Sequence, residues 1–198
     1  MKHLAVGVLT LALPLGAIAQ VENYVIDPFH TIPYFEVDHL GFATIRGRFA
    51  KTTGKFIFDR AGKTGSLEIV IPTVTVDTGD VDREGRPRTR DEHLRTPDFF
   101  NSAEFPTMTF RSTALKFAGD NPDVIEGNLT LLGVMRPVAL KIERWRCGPD
   151  PRTQGKRYQC GGNATGAFKR SDFGMKFGLP TAIGDEVKIW MSFYGFRQ

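Results

Sequence analysis

Cysteine and histidine are scarce in this chain of 198 residues, which holds two Cys and four His. Two thiols cannot build a four-thiolate zinc site or the dense disulfide framework of a secreted mini-protein, so if they act, they act as a pair. His30, His39 and His93, the histidines beyond the N-terminal segment, match no metal-ligand spacing such as two His four apart on a helix. A zinc site drawn from them with Asp27 or Asp38 is therefore disfavoured, and no metal is expected. Charge of one sign is also lacking: 26 Lys+Arg stand against 22 Asp+Glu, a net +4 spread along the chain. That balance argues against a dedicated nucleic-acid binder. Past residue 20 no apolar run reaches the roughly 18 residues that a membrane-spanning helix needs. There is no Gly-x-Ser-x-Gly elbow, no free Cys beside a His and no phosphate-cradling glycine loop, although a triad is defined by geometry rather than by sequence. No acidic residue stands out as half of a carboxylate pair.

What is present begins with an export pattern. Lys2 and His3 precede an apolar run over residues 4–16, and Ala17-Ile18-Ala19 supplies the small-x-small end that signal peptidase accepts. Residues 1–19 read as a cleavable signal and 20–198 as one globular domain. Position 20 is Gln rather than the Cys that bacterial lipid attachment requires. The expected location is the periplasm, or outside the cell, where disulfides persist.

Beyond the signal, all 16 Phe remain and Phe, Val, Thr and Ile carry the apolar content, a composition that favours pleated sheet. Period-two alternation recurs over residues 34–40, 44–59, 65–73, 107–117, 124–132, 137–145, 158–169 and 186–196, with Gly, Asn or Asp-Pro breaks between. About eight strands joined by short connections read as an antiparallel sandwich or barrel. Gly47 and Gly54 interrupt the long 44–59 strand, as at a barrel corner, which points to closure.

Two stretches do not alternate. Residues 80–94 are polar and broken by Gly85 and Pro87, and they lead into Thr96-Pro97-Asp98-Phe99-Phe100, which reads as a short helix with Thr96 as cap and Pro97 at its first position. Residues 170–178 form a second irregular piece. Both are expected to cross or cover the sheet. Cys147 and Cys160 lie near the ends of consecutive strands flanking a turn-rich segment, so a disulfide clamping that hairpin is expected, contributing roughly 3 kcal/mol in the chain-entropy picture. Two Asn-x-Thr matches, at Asn128 and Asn163, are read as accidental in a protein with a bacterial type of signal.

The segments YVIDPFHT at 24–31, VDHLGF at 37–42, VDTG at 76–79, RDEHLRTPDFF at 90–100, FPTMTF at 105–110, GNLTLLGVMRPV at 127–138 and RSDFGM at 170–175, in this order, resemble the successive signatures of the YceI-like family. The resemblance implies an all-β, eight-stranded antiparallel, lipocalin-like barrel with one or two short helices as lids. It further implies a long isoprenoid or similar lipid in the tunnel. By analogy the polar mouth, and so the ligand headgroup, falls to His39, Arg90 and His93, with Arg170 and Asp172 beside them. Residues 82–89 look like an insertion before the His93 segment, and the Cys147–Cys160 hairpin belongs to only part of the family.

A prenyl chain has no polar group to satisfy, so its lining needs only apolar surface of the right width. The candidate tunnel wall is Phe35, Val37, Phe49, Phe56, Phe58, Leu67, Ile69, Met108, Phe110, Leu129, Leu131, Leu140, Ile142, Phe173, Ile189 and Phe193. The leading expectation is a non-enzymatic binding protein that carries an isoprenoid quinone, a polyprenyl phosphate or a similar amphiphile, with no covalent cofactor. Such a protein would touch the inner membrane or a membrane redox protein transiently, as a monomer or homodimer. One alternative is an enzyme acting on a bound prenyl lipid with His93 or Asp172 as general base. Another is a protein-interaction module with a filled barrel and anchors near Trp145 and Tyr158.

Overall fold

The structure, a computed structural model, describes residues 21–198, so the expected signal over 1–19 lies outside the described residues. Eleven strands form one antiparallel sheet that closes as an eight-stave barrel. Three staves are interrupted. The first is β1 (Glu22–Ile26) continued by β2 (Ile32–His39), the second β3 (Ala43–Phe49) continued by β4 (Thr53–Asp59), and the third β5 (Thr64–Pro72) continued past a 3-10 turn by β6 (Val76–Asp77). β7 (Thr107–Ala118), β8 (Asn121–Leu131), β9 (Val134–Pro149), β10 (Tyr158–Lys169) and β11 (Ile183–Arg197) are continuous. β11 closes the barrel by pairing with β10 on one side and with both β1 and β2 on the other.

The expected single strand over 44–59 is two strands. Residues 50–52 break it, and the halves take different neighbours, β3 pairing with β2 and β6 while β4 pairs with β1 and β5. Gly54 just beyond the corner is forced by close approach: a Cβ there would lie 2.1 Å from the carbonyl oxygen of Glu68 on the adjacent strand. β1 and β6 escaped the sequence reading because five and two residues are too few to display alternation.

Alternation places one face of each stave inside. In β9, Val138, Leu140 and Ile142 are buried while their neighbours are exposed, and β8 buries Ile125, Leu129 and Leu131. Cys147 and Cys160 are direct cross-strand partners on β9 and β10 and form the expected disulfide, with Cα atoms 4.0 Å apart. The buried apolar residues fall into two clusters. One, around Phe49, Phe100, Met108 and Leu129, fills the end under the lids; the other, Tyr24, Ile26, Phe56, Phe58 and Cys160, fills the disulfide end.

The helix lies elsewhere than the sequence reading placed it. α1 spans Arg90–Leu94, and Thr89 is its N-cap in a full capping box: the Thr89 hydroxyl accepts from the Glu92 amide, and the Glu92 carboxylate accepts from the Thr89 amide. Thr96, expected as a cap, instead donates its hydroxyl to the His93 carbonyl as the helix ends, and 97–100 is turn. Residues 170–173 form a 3-10 turn, Arg170–Phe173, that starts the second covering segment.

Candidate functional site

The barrel interior is not completely filled. A chamber of about 130 Å³ lies under the lids, walled by apolar side chains from most of the staves and by one charged residue, Arg170. Ten of the expected tunnel residues line it: Phe35, Val37, Phe49, Ile69, Met108, Phe110, Leu129, Leu131, Leu140 and Ile189. A smaller cavity of about 40 Å³ lies toward the disulfide, and there the structure puts Phe56, Phe58, Leu67, Ile142 and Phe193. Ile69, Leu140 and Met191 border both cavities and so form the partition between them. Phe173 lies outside both; it is buried and its ring backs Phe168, edge-on at 5.2 Å.

Further wall residues divide by how legible they were. Ile71, Val138 and Met191 share strand faces with residues already selected, so stricter use of the two-residue period finds them. Leu94, Phe99 and Phe100 from the first lid and Met175 from the second carry no such signal, since only tertiary folding lays those segments over the barrel, and Ile183 precedes the alternating stretch read over 186–196.

The first lid is fastened by charge. Asp80 accepts from the guanidinium of Arg86 and from the Arg90 amide, interactions that hold its carboxyl down at about 2. Glu92 is likewise held at about 2, by Arg83 first and by the Thr89 amide second. Asp91 accepts from the Thr78 amide and hydroxyl, tying α1 to the end of β6. The residues 82–89, which looked like an insertion, thus form an exposed loop whose Arg83 and Arg86 secure both ends of this lid.

The five expected headgroup residues separate. Arg90 reaches Thr78 Oγ1 at 3.3 Å, and His93 Nε2 lies 2.8 Å from Asp98 Oδ2 with its ring edge-on to Phe99 and Phe177. These two flank the first lid. Arg170 is only 2% exposed and donates to the carbonyls of Met175, Ile183 and Gly184, bracing the second lid against β11. Burial pushes its guanidinium below its usual value while the charge of Asp185 works the other way. Burial also pushes the Asp185 carboxyl up, but the amide and hydroxyl of Ser171 outweigh it and leave it below the usual carboxylate range. Three of the five N–H donors of Arg170 are committed in these bonds, and since no polar surface opens on the chamber the residue borders it through apolar atoms. His39 ends β2 exposed on a hairpin, and Asp172 is exposed on the 3-10 turn; neither borders the chamber.

Trp145 and Tyr158 do not make an exposed anchor. Trp145 is partly buried among Phe56, Phe58 and Phe193, and Tyr158 lies under the guanidinium of Arg197 at 4.3 Å. Among the described residues no group of three or more His, Cys, Asp or Glu is disposed to hold a metal ion, and no helix is long and apolar enough to cross a membrane.

Comparison with known proteins agrees with this architecture. The chain is 37% identical over its whole length to a UPF0312 protein of Pseudomonas aeruginosa, covering 98% of that relative, and 36% identical to a UPF0312 protein of Shewanella denitrificans, covering 99%. Among crystal structures, BcnA of Burkholderia cenocepacia superposes with a TM-score of 0.65 at 22% identity, over 85% of this chain and 98% of that one. A polyisoprenoid binding domain from Saccharophagus degradans superposes with a TM-score of 0.61 at 18% identity, over 88% and 98%. At those identities the superpositions speak to the fold alone. The YceI-like domain profile matches residues 24–194, nearly the whole described chain, and with the full-length relatives it shows that this protein belongs to the YceI-like family.

Proposed function

We propose that this barrel is a non-enzymatic carrier of a long apolar chain, an isoprenoid quinone or polyprenyl phosphate by preference, working in the periplasm. The observation that carries the reading is the lid-end chamber, a space whose whole open surface is apolar. Each methylene moved from water into such a chamber contributes roughly 0.8 kcal/mol, so a chain of some ten carbons is held firmly without any polar contact. No polar surface opens on the chamber, so a polar headgroup would be met outside it, at the lids. Arg90 and His93 flank the lid where a larger head would emerge. The name of the Saccharophagus degradans domain, which shares the fold, supports the same class of ligand. No side-chain arrangement around the chamber pairs a nucleophile with a base, and His93 faces Asp98 rather than the interior, which favours carriage over catalysis.

The test is the native mass of the protein purified from the periplasm, followed by organic extraction and mass spectrometry of the extract. The expected result is excess mass that disappears on extraction and a prenyl or quinone ladder in the solvent. A native mass equal to that of the disulfide-bonded polypeptide, with an extract free of lipid, would count against the carrier reading.

A further inference from the structure

The chamber sits beneath an apolar rim that nothing among the described residues covers. At the β2–β3 hairpin tip, Leu40 is 50% exposed and Phe42 is 93% exposed. The tip is a built turn. The Gly41 amide donates to Asp38 Oδ1, the Phe42 amide donates to the His39 carbonyl, and Leu40 and Gly41 both take positive φ, so the two apolar side chains are presented outward by a fixed backbone. The tip is joined to the second lid, because the Leu40 amide donates to the Ala182 carbonyl and the Ala182 amide to that of Gly178. Next to Gly178, Phe177 is 45% exposed and lays its ring against Phe99 at 5.3 Å, and Phe99 in turn lines the chamber. An apolar path therefore runs from the chamber through Phe99 and Phe177 to the hairpin tip. Lys176, which precedes Phe177 in the chain, is exposed.

We propose that this rim, Leu40, Phe42 and Phe177, docks into the surface of a lipid bilayer, so that an apolar chain passes between membrane and chamber without crossing water. The proposal rests on the carrier reading for its purpose, and on the rim alone for its geometry. The occupant is a membrane rather than a protein for two reasons. The rim is continuous with a chamber whose open surface is apolar, and its rings sit on loop tips that penetrate an interface more readily than they form a flat protein contact. Lys176, exposed and next to Phe177 in the chain, adds a positive charge suited to anionic headgroups.

The experiment is co-sedimentation of the full protein with vesicles of phosphatidylethanolamine and phosphatidylglycerol at 3:1. Three proteins are compared: the wild type, the double variant Phe42→Ser/Phe177→Ser, and Phe29→Ser. Phe29 is 83% exposed but lies at the disulfide end, beside Asp150 and Arg152. Wild type and Phe29→Ser should partition to the vesicles alike, and the rim variant should partition at least tenfold less. The single variant Phe42→Ser, whose ring touches nothing in the fold, should show most of the loss if the double variant proves unstable. Wild type remaining in the supernatant, or equal losses for rim and Phe29 variants, overturns the proposal. Loading of the same proteins from detergent micelles carrying a C40 prenol keeps the two readings apart. A wild type that sediments with vesicles but takes up no prenol from micelles defeats the carrier reading and leaves the docking surface standing. A rim variant that loads from micelles but not from vesicles supports both.

Discussion

The two ends of the barrel are built from the same residue types and behave differently. At the disulfide end the rings meet: Tyr24 stacks on Phe56 at 4.4 Å, Phe58 meets Trp145 at 5.2 Å, and Trp145 meets Phe193 at 5.9 Å. Phe56 packs so closely on β11 that Gly195 lies under it, where a Cβ would come within 2.2 Å of the ring, although a void of about 40 Å³ remains beside these rings. At the lid end rings meet as well, Phe49 lying 5.3 Å from Phe100 and 5.9 Å from Phe35, but Leu, Ile, Val and Met share the wall and the covering pieces are short lids instead of sheet; about 130 Å³ stays open. Rings packed face and edge together leave only about 40 Å³ at the disulfide end. Under the lids, side chains converging from opposite staves of an eight-stranded barrel leave room for a ligand. Stability and carriage are thereby assigned to different ends of one tube, with Ile69, Leu140 and Met191 at the boundary.

The comparison is broken most severely by opening the plug. Phe56→Ala should cost about 3–5 kcal/mol in urea unfolding, the usual loss for a buried Phe, while the lipid carried per folded molecule stays at the wild-type level. Loss of lipid from a folded Phe56→Ala protein would show that the two ends are not independent. Removing the clamp by Cys147→Ser with Cys160→Ser should cost about 3 kcal/mol, since the disulfide closes a loop with a separation of 13 residues. Differential unfolding with and without reductant checks this, and an equal shift in the double-serine variant and the reduced wild type is the expected pattern.

A change at the other end should do the opposite. Met108→Trp puts a large ring into the open chamber, so the unfolding midpoint should move by less than about 1 kcal/mol because the void absorbs the added volume that would strain a filled core. Bound lipid should fall to background in the same protein. The smallest effect is in acid. Asp80 and Glu92 titrate lower in the folded lid than in an unfolded chain, from usual values of 3.8 and 4.5 down to about 2 each. Their contribution is therefore fully present above about pH 4.5 and is lost as pH falls toward 2. Hydrogen exchange over residues 80–95 should rise across that window before the barrel strands respond; exchange that rises uniformly would show that the lid has no separate acid response.

The barrel was legible in the sequence because alternation is a local signal. Val138, Leu140 and Ile142 announce an inward face whatever they meet across the interior. The disulfide was legible for a similar reason, since two strand ends flanking a turn-rich hairpin bring Cys147 opposite Cys160. The helix was misplaced because Thr96-Pro97 was read as its start and the Thr89-x-x-Glu92 pattern was passed over. Both patterns start helices, but only the second satisfies two amides at once, and in the structure it took the chain. The site was legible on the walls and hidden at the lids. No local rule tells that Phe99 and Phe100 turn into the chamber, or that Arg170 spends its donors on one carbonyl of the second lid and two of β11. Nor does sequence reveal which Phe fills a plug and which lines a void, because that depends on what faces it across the barrel.

The division into plug and chamber is tested most directly by a crystal structure of the protein purified with its lipid retained. The account predicts chain density that enters between the two lids, runs along Met108, Phe110 and Leu129, and ends at Ile69, Leu140 and Met191, with Phe56, Phe58 and Trp145 in contact with one another as described here. Density that displaces Trp145 and reaches the disulfide, or that lies on the outer face of the sheet, would contradict it.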